Sequence, residues 1–256
     1  MKKVFITSFS DFGPYPANSS QQVAKCLAGR ADPSFSFEFR TETLPANIPH
    51  YDRGTQMLEM AFQHRASAII SLGMSSSKKS LCVETKARNV TNHPVYCSPE
   101  ENGRPVTNAH PSGATLGIDT RPWNLEAFIS NCVAARLPRP EISSDAGGYC
   151  CNSMMVQVLT AKAQRPHRYW MPYIFAHLPC TREAMPLGFL KLMKSGKAKP
   201  LIQNILGNRA FLKLGSLLHR KKCVSMELND ILASLFVLLR SASLEDVPQE
   251  LEALRA

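Results

Sequence analysis

Short apolar runs alternate along the chain with longer segments in which apolar residues recur at helical spacing. The runs that predict strands are residues 4–7, 35–43, 66–72 and 173–178. The segments that predict helices are residues 21–27, 51–65, 125–135, 152–162 and 226–240. Alternation of this kind is typical of an α/β fold. We therefore predict three layers, α/β/α, around an open, twisted and mostly parallel sheet, with sites at the carboxyl ends of its strands.

Composition narrows the class of protein. The 256 residues are 44% hydrophobic and 20% charged, which suits one large globular domain or two small ones rather than a disordered chain. No run of about 18 consecutive apolar residues occurs, so the sequence predicts no membrane-spanning helix. The apolar stretch after Lys2 and Lys3 is too short for a signal peptide and fits a first buried strand better.

The formal net charge of +10 is concentrated in one segment. Residues 182–222 hold ten of the 30 Lys and Arg residues but only one of the 20 Asp and Glu residues, Glu183. A basic amphipathic segment can lie on an acidic membrane or face a nucleic acid. It can also be a helical lid or subunit contact whose lysines face water, and we favour this second interpretation. No aromatic stacking platform interleaves with the lysines, which disfavours binding of single-stranded nucleic acid further.

Eight cysteines are scattered along the chain with no C-x-x-C pair. In a protein of this size, that pattern predicts reduced thiols and a cytoplasmic location rather than a disulfide framework. Neither zinc-ligand spacing nor a glycine-rich phosphate loop is present in the sequence. The sequence therefore gives no signal of a zinc site or of a phosphate-binding loop.

Three residues stand where chemistry is expected. Cys151 follows a glycine-containing loop at the predicted start of the 152–162 helix, where the helix dipole lowers the pKa of a thiol. His177 closes the last predicted strand, and Glu84 follows a short apolar run; a base and a carboxylate that orients it are the usual partners of a thiol nucleophile. Spacing alone leaves other interpretations open: Cys151 could be a buried structural cysteine, His177 a surface histidine and Glu84 a surface ion-pair partner.

The motifs around these residues resemble those of the pyroglutamyl peptidase I family of cysteine peptidases. Residues 6–13 (ITSFSDFG) and 18–20 (NSS) are similar to its T-G-F-x-P-F-G…N-x-S start. Residues 144–152 (SDAGGYCCN) are similar to its A-G-x-[FY]-x-C-N segment, and 175–179 (FAHLP) to its F-x-H-x-P segment. The L-G…V-E…A-x-N segment corresponds to residues 72–89. The resemblance is collinear over about residues 1–180 and 221–240, with a basic helical insertion at about 181–220. It implies one domain, residues 1–256.

The resemblance implies a cysteine peptidase that removes an N-terminal pyroglutamyl residue from peptides without a cofactor. Cys151, rather than Cys150, would attack the pyroglutamyl carbonyl and form a thioester acyl-enzyme, with His177 as base and Glu84 as third member. Phe9 and Phe12 correspond to aromatic residues that hold the lactam ring, although both can also be ordinary core residues. The asparagine that shapes this loop corresponds to Asn18.

Three departures from the family pattern concern the substrate pocket. Met74 stands where many members have a glutamine, Asp11 where proline is usual, and Pro94 where arginine is common. Pyroglutamyl specificity is thus a weaker expectation than thiol hydrolysis, because loss of one hydrogen bond to a substrate can change selectivity by orders of magnitude.

A second hypothesis belongs to a different class of function. The chain could be a non-catalytic or retargeted relative that binds a membrane, an RNA or a protein through the basic insertion. The sequence leaves the oligomeric state open, and a homo-oligomer is compatible with it.

Overall fold

Seven of the strands form one mixed sheet in the computed structural model, which describes residues 2–11, 17–29, 31–32, 37–45, 53–92, 100, 102–181 and 227–244. In chain order the strands are β1 (Lys2–Phe9), β2 (Ala31–Asp32), β3 (Phe37–Leu44), β4 (Ala68–Met74), β5 (Cys82–Glu84), β6 (Lys86–Arg88), β7 (Thr115–Gly117), β8 (Glu141–Ser143) and β9 (Tyr173–Leu178). The sheet order is β2-β3-β1-β4-β9-β5-β8, and β6 and β7 form a separate antiparallel pair.

The centre of the sheet is parallel. Strands β3, β1, β4 and β9 all run in the same direction, which confirms the predicted mostly parallel arrangement. Two pairings are antiparallel: β2 with β3 at one edge, and β5 with β9 near the other. The reversal at β5 has a consequence for the site, because it brings residues from a strand of opposite direction beside the carboxyl end of β9.

Helices cover both faces of the sheet, as the pattern of the sequence predicts. They are α1 (Ser19–Leu27), α2 (Arg53–Gln63), α3 (Leu125–Ala134), α4 (Cys150–Gln164) and α5 (Leu228–Ser241), with a 3₁₀ turn at Arg121–Trp123. One core lies between the sheet and α1, α3 and α5; the other lies between the sheet and α2 and α4. Alternate residues of each central strand enter the two cores, so the parallel strands are apolar on both faces. None of the helices in the described ranges is long and apolar enough to cross a membrane.

Helix ends follow local chemistry where the sequence signals it. The side chain of Asn18 accepts a hydrogen bond from the backbone N–H of Ser20 at 3.0 Å and caps α1. After the helix, Gly29 adopts φ +67°, a left-handed conformation that glycine reaches without steric cost. The helix predicted to begin at residue 152 begins earlier, at Cys150. The Cys150 side chain packs into the core that α4 shares with α2, which accounts for the earlier start.

Several short elements have no clear signal in the sequence pattern. Strands β5, β6, β7 and β8 contain three residues each, too few for a period to be read. The predicted insertion at about 181–220 lies outside the described residues except for Thr181.

Candidate active site

The two titratable candidates from neighbouring strands are in direct contact. His177 on β9 is paired with Gly73 of β4 on one side and with Cys82 of β5 on the other. Glu84 is paired with Phe175, and because alternate strand residues share a face, its side chain projects on the same face as that of His177. The Nδ1 atom of His177 lies 2.9 Å from Oε1 of Glu84. The antiparallel β5 therefore supplies the carboxylate that orients the imidazole.

Both residues are buried, so His177 is not a surface histidine and Glu84 is not a surface ion-pair partner. Glu84 has no solvent exposure and His177 is 7% exposed. Oε1 of Glu84 also lies 3.6 Å from Sγ of Cys82, whereas Oε2 has no hydrogen-bond partner among the described residues. A buried carboxylate needs charged or hydrogen-bonding partners. Besides His177, the charged partner of Glu84 is Lys78, whose Nζ lies 3.9 Å from Oε1.

The thiol of Cys151 and the ring of His177 border the same gap, which the missing side chain of Gly73 leaves in the sheet surface. A Cβ atom placed on Gly73 would lie 3.0 Å from Sγ of Cys151 and 3.0 Å from Cδ2 of His177. It would also lie 3.0 Å from the Phe175 ring, which packs edge-on against the imidazole at a centroid distance of 5.1 Å. The missing side chain at position 73 thus provides the space in which the thiol, the imidazole and the aromatic ring meet.

The loop before α4 holds the thiol in place. Gly147 adopts φ +84°, and its N–H donates to Oδ1 of Asp145 at 3.1 Å. Gly148 lies so close to the backbone of Asn92 that an added Cβ would be 2.0 Å from the Asn92 carbonyl oxygen, so only glycine fits there. The first helical hydrogen bond of α4 runs from the N–H of Ser153 to Tyr149. The preceding amides, including that of Cys151, point from the helix start without an intrahelical acceptor.

The electrostatics of Cys151 differ from the expectation. Its position in the first turn of α4 predicted a lowered pKa, and that prediction is wrong. A hydrogen bond to the Cys150 thiol, burial and the nearby Glu84 carboxylate raise the pKa of the Cys151 thiol well above its ordinary value. These three effects favour the protonated thiol over the thiolate, in the direction opposite to that of the helix dipole.

The candidate residues border one cavity of about 300 Å³. Its floor contains Cys151, His177 and Glu84, and its walls come from the loops after β4 and before α4. The residues of these two loops that line the cavity are Ser75, Ser76, Ser77 and Lys78 on one side and Asp145, Ala146, Gly147, Gly148 and Tyr149 on the other. The cavity lies at the carboxyl ends of the parallel strands, as the α/β fold predicts.

Three of the four predicted substrate-binding residues line the same cavity. Phe9 is 4% exposed, so it belongs to the core and also forms the cavity wall, which reconciles the two readings of this residue. Asn18 is buried, and its Nδ2 donates to the carbonyl of Ser10 at 3.0 Å. Sδ of Met74 accepts a contact from the N–H of Ser19 at 3.5 Å. The fourth residue, Phe12, lies outside the described residues.

The structure describes two of the three residues at which the chain departs from the family pattern. Oδ1 of Asp11 accepts a hydrogen bond from the N–H of Asn18 at 2.8 Å, so Asp11 fixes the loop that Asn18 shapes. Met74 presents a thioether to the cavity in place of an amide. Pro94 lies outside the described residues.

Three residues of the site were not singled out from the sequence. Gly73 makes room for the thiol, Lys78 lies beside the carboxylate, and Asn152 ties the start of α4 to β6. All three belong to quoted motif segments, which was the only available signal, because their roles depend on contacts between distant strands. Among the described residues, no three or more His, Cys, Asp and Glu side chains are grouped as metal ligands would be.

Known proteins whose sequences are similar to this chain belong to one class of peptidase. A sequence model of the family described as pyroglutamyl peptidase matches residues 2–189. The pyrrolidone-carboxylate peptidase of Oceanobacillus iheyensis is 26% identical over 186 residues, which cover 72% of this chain and 86% of that protein. Its counterpart from Mycobacterium tuberculosis is 28% identical over 184 residues, covering 70% and 78%.

Solved structures show the same fold. Pyroglutamyl peptidase I from Bacillus amyloliquefaciens matches with a TM-score of 0.68 and 18% identity, covering 96% of both chains. Pyrrolidone carboxyl peptidase from Thermococcus litoralis matches with a TM-score of 0.65 and 18% identity, covering 97% of this chain and 99% of that one. The shared order of sheet and helices thus persists at low sequence identity.

Proposed function

Because the chain belongs to the pyroglutamyl peptidase family, we propose that it removes an N-terminal pyroglutamyl residue from peptides and that Cys151, His177 and Glu84 carry out the reaction. The chain is a hydrolase of this peptidase class. The observation that supports the assignment of residues is the meeting of the Cys151 thiol and the Glu84-bonded imidazole above Gly73, at the floor of a cavity.

The imidazole is arranged to act as a base. Since Nδ1 of His177 lies against the Glu84 carboxylate, the neutral ring carries its proton on Nδ1 and leaves the lone pair on Nε2. Cδ2, the ring atom next to Nε2, and Sγ of Cys151 border the same space, the one that a side chain at position 73 would fill. The protonated thiol is favoured, so its proton moves to Nε2 as sulfur attacks the carbonyl carbon of the substrate.

The remaining steps follow from the same groups. Attack produces a tetrahedral oxyanion, which amides at the start of α4, including that of Cys151, are placed to stabilise. His177 gives its proton to the leaving amine as the C–N bond breaks, and a thioester to Cys151 remains. Water, deprotonated by His177, then attacks the thioester and releases pyroglutamate, and the proton returns to sulfur.

The cavity wall suits a flat ring with an apolar face. Phe9 and Met74 present apolar surface, and Asn18 holds the loop behind them in position. The resemblance alone implies that Phe12 also contacts the ring of the substrate. Six of the cysteines are described as free thiols, which is compatible with the reduced conditions of the cytoplasm, and we keep that location as part of the proposal.

The test is release of a chromogenic amine linked to pyroglutamate. We expect wild type to release it and Cys151→Ser to lose at least about 1,000-fold in kcat/KM, as removal of a nucleophile does. Cys26→Ser, a partly exposed thiol on α1, is the control for cysteine loss in general and retains activity. A prolyl amine, which lacks the lactam carbonyl, is the control substrate. Undiminished release by Cys151→Ser, or none by wild type, would refute the proposal.

A further inference from the structure

Lys78 occupies a position that the reaction described above does not use. It lies in the turn after β4, where its backbone N–H donates to the carbonyl of Ser75 at 3.2 Å. Its Nζ lies 3.9 Å from Oε1 of Glu84 and 3.6 Å from Oε2 of Glu141, at the start of β8. The side chain is 21% exposed and borders the cavity. Of the described lysine and arginine residues, it alone forms an ion pair with Glu84.

Glu84 has few groups that can compensate its charge. It is fully buried, Oε2 has no hydrogen-bond partner in the described part of the chain, and Oε1 contacts His177 and Cys82. An isolated carboxylate in such surroundings takes up a proton rather than remain charged. A protonated Glu84 would no longer stabilise the positive imidazole that forms when Cys151 gives up its proton.

We propose that Lys78 is a positioning residue: its ammonium group neutralises the buried Glu84 carboxylate, and so sets the pH range in which the Glu84–His177 pair is free to accept the proton of Cys151. The inference rests on the proposed function, since it assigns a role to Lys78 in the same reaction. In this role Lys78 acts through Glu84, with which it forms an ion pair.

The direction of the effect follows from the charges that face the pair. Lys78 from the turn after β4 and Cys82 from β5 lie against Glu84, and Glu141 from β8 forms an ion pair with Lys78. Cys150 and Cys151 from α4 line the same cavity, as does Asp145 from the loop before α4, which pairs with Arg88. Tyr173 from β9 interacts with Cys151. Burial raises the pKa of Cys82 to about 12 and also raises that of Tyr173, so both are neutral at physiological pH. Lys78 is the cation next to the carboxylate.

Lys78 itself stays charged in this position. Burial alone would lower the pKa of its ammonium group, but a hydrogen bond to the Cys82 side chain and the charges of Glu84 and Glu141 outweigh burial and raise the pKa above its ordinary value. A cation beside a titrating pair lowers the affinity of that pair for a proton, whichever of the two residues holds it. Removal of the Lys78 charge should therefore make the pair bind its proton at higher pH.

The experiment compares three variants across pH. For Lys78→Met we expect the acidic limb of the kcat/KM profile to move upward by about half a unit to one unit. Lys78→Arg keeps the charge and should restore the wild-type limb. The matched control is Lys79→Met, which removes the same charge from the exposed neighbouring residue and should leave the limb unmoved. Thermal melting of each variant reports folding, and Lys78→Gln replaces Lys78→Met if the latter does not fold.

Two outcomes overturn the inference. One is a Lys78→Met profile that overlays that of Lys79→Met. The other is a loss of kcat/KM by the same factor at every pH, because that would be the effect of a merely structural residue.

A second readout separates this inference from the proposed function. Iodoacetamide alkylates thiolates, so the rate at which Cys151 is alkylated, followed by mass spectrometry of its peptide, reports proton transfer from the thiol without any substrate. The pH midpoint of alkylation should rise in Lys78→Met and remain unchanged in Lys79→Met. If wild type releases no amine but this shift is present, the proposed function fails and the role of Lys78 stands. If wild type releases amine but Lys78→Met shifts neither the kcat/KM profile nor the alkylation profile, the proposed function stands and the role of Lys78 fails.

Discussion

Gly73 shows how a single residue determines whether the candidate site can exist. It lies opposite His177 in the pairing of β4 with β9, and its missing side chain leaves room for Sγ of Cys151. Its role is close approach, since any Cβ would press on sulfur, imidazole and the Phe175 ring at once. Such contacts are tighter than ordinary van der Waals distances, so at least one of the three groups would have to move.

Gly73→Ala is therefore expected to impair catalysis more than stability. We expect kcat/KM to fall about 100-fold, because a displacement of about 1 Å between reacting groups costs that much, while the free energy of unfolding falls by about 1–3 kcal/mol. Gly117→Ala on β7 is the matched control, since nothing lies within 4 Å of a Cβ at that position. Steady-state kinetics and urea unfolding measure the two quantities. Equal kinetics for the two variants would contradict this account of Gly73.

At the scale of elements, the site depends on how α4 is attached to the rest of the fold. Asn152, 1% exposed and next to Cys151, acts as a peptide-like bridge to β6. Its Oδ1 accepts from the N–H of Arg88 at 2.8 Å, and its Nδ2 donates to the carbonyls of Arg88 at 2.8 Å and Val90 at 3.0 Å. These bonds fix the rotation and height of the helix start, and with them the position of the thiol.

Replacement of this bridge tests its contribution. We expect Asn152→Ala to lower the free energy of unfolding by about 2–4 kcal/mol, because buried backbone groups at β6 lose their partners, and to lower kcat/KM as well. The control is Asn131→Ala on α3, where an exposed side chain makes a single 3.4 Å contact with Ser241. Both variants gain the same helix propensity, so the difference between them isolates the bridge. Indistinguishable urea midpoints would show that Asn152 does not anchor α4.

Elements with a long periodic pattern could be predicted from sequence, and short ones could not. The 173–178 strand was predicted with its observed bounds, and α1 and α3 were predicted to within two residues. β5 was not recognised as a strand, although it contains Glu84, because three residues carry no period and the strand exists through its pairing with β9 and β8. The start of α4 was missed by two residues, since core packing of Cys150 decides it rather than a capping residue.

For the whole molecule, the central question is how the last helix relates to the rest. α5 follows the predicted insertion in sequence, yet it packs on the same face of the sheet as α1 and α3. Leu235, which is 1% exposed, lies in that core together with Val4 and Ile6 of β1. The chain therefore returns after residues 181–220 to complete the core that its first strand begins, which supports the prediction of one domain.

Leu235→Ala tests whether this helix belongs to the same cooperative unit. We expect one unfolding transition whose free energy is lower by about 2–5 kcal/mol, the usual result of a cavity in a core. kcat/KM at 25 °C should remain that of wild type, because α5 and the catalytic cavity are on opposite faces of the sheet. Val133→Ala, which changes a half-exposed side chain on α3, is the control and should shift stability by less than about 0.5 kcal/mol. A separate early transition in wild type would show that α5 unfolds independently.

The charge of the whole molecule remains a question about one segment. The net charge of +10 arises almost entirely within residues 182–222, which lie outside the described residues. Its predicted roles as a lid, a subunit contact or a basic surface stay predictions. Among the residues that the structure describes, Lys78 is the lysine or arginine that borders the cavity.

The sequence by itself determined the α/β class and the family, and it singled out Cys151, His177 and Glu84 as candidates, because hydrophobic periodicity and collinear motifs are local properties of a chain. Only the tertiary structure decided that these residues meet. Glu84 contacts His177 because β5 runs antiparallel beside β9, Cys151 and His177 border the same gap because Gly73 has no side chain, and Cys150, burial and Glu84 raise the pKa of the Cys151 thiol. Strand order, register and desolvation depend on residues far apart in the chain, so no local pattern encodes them.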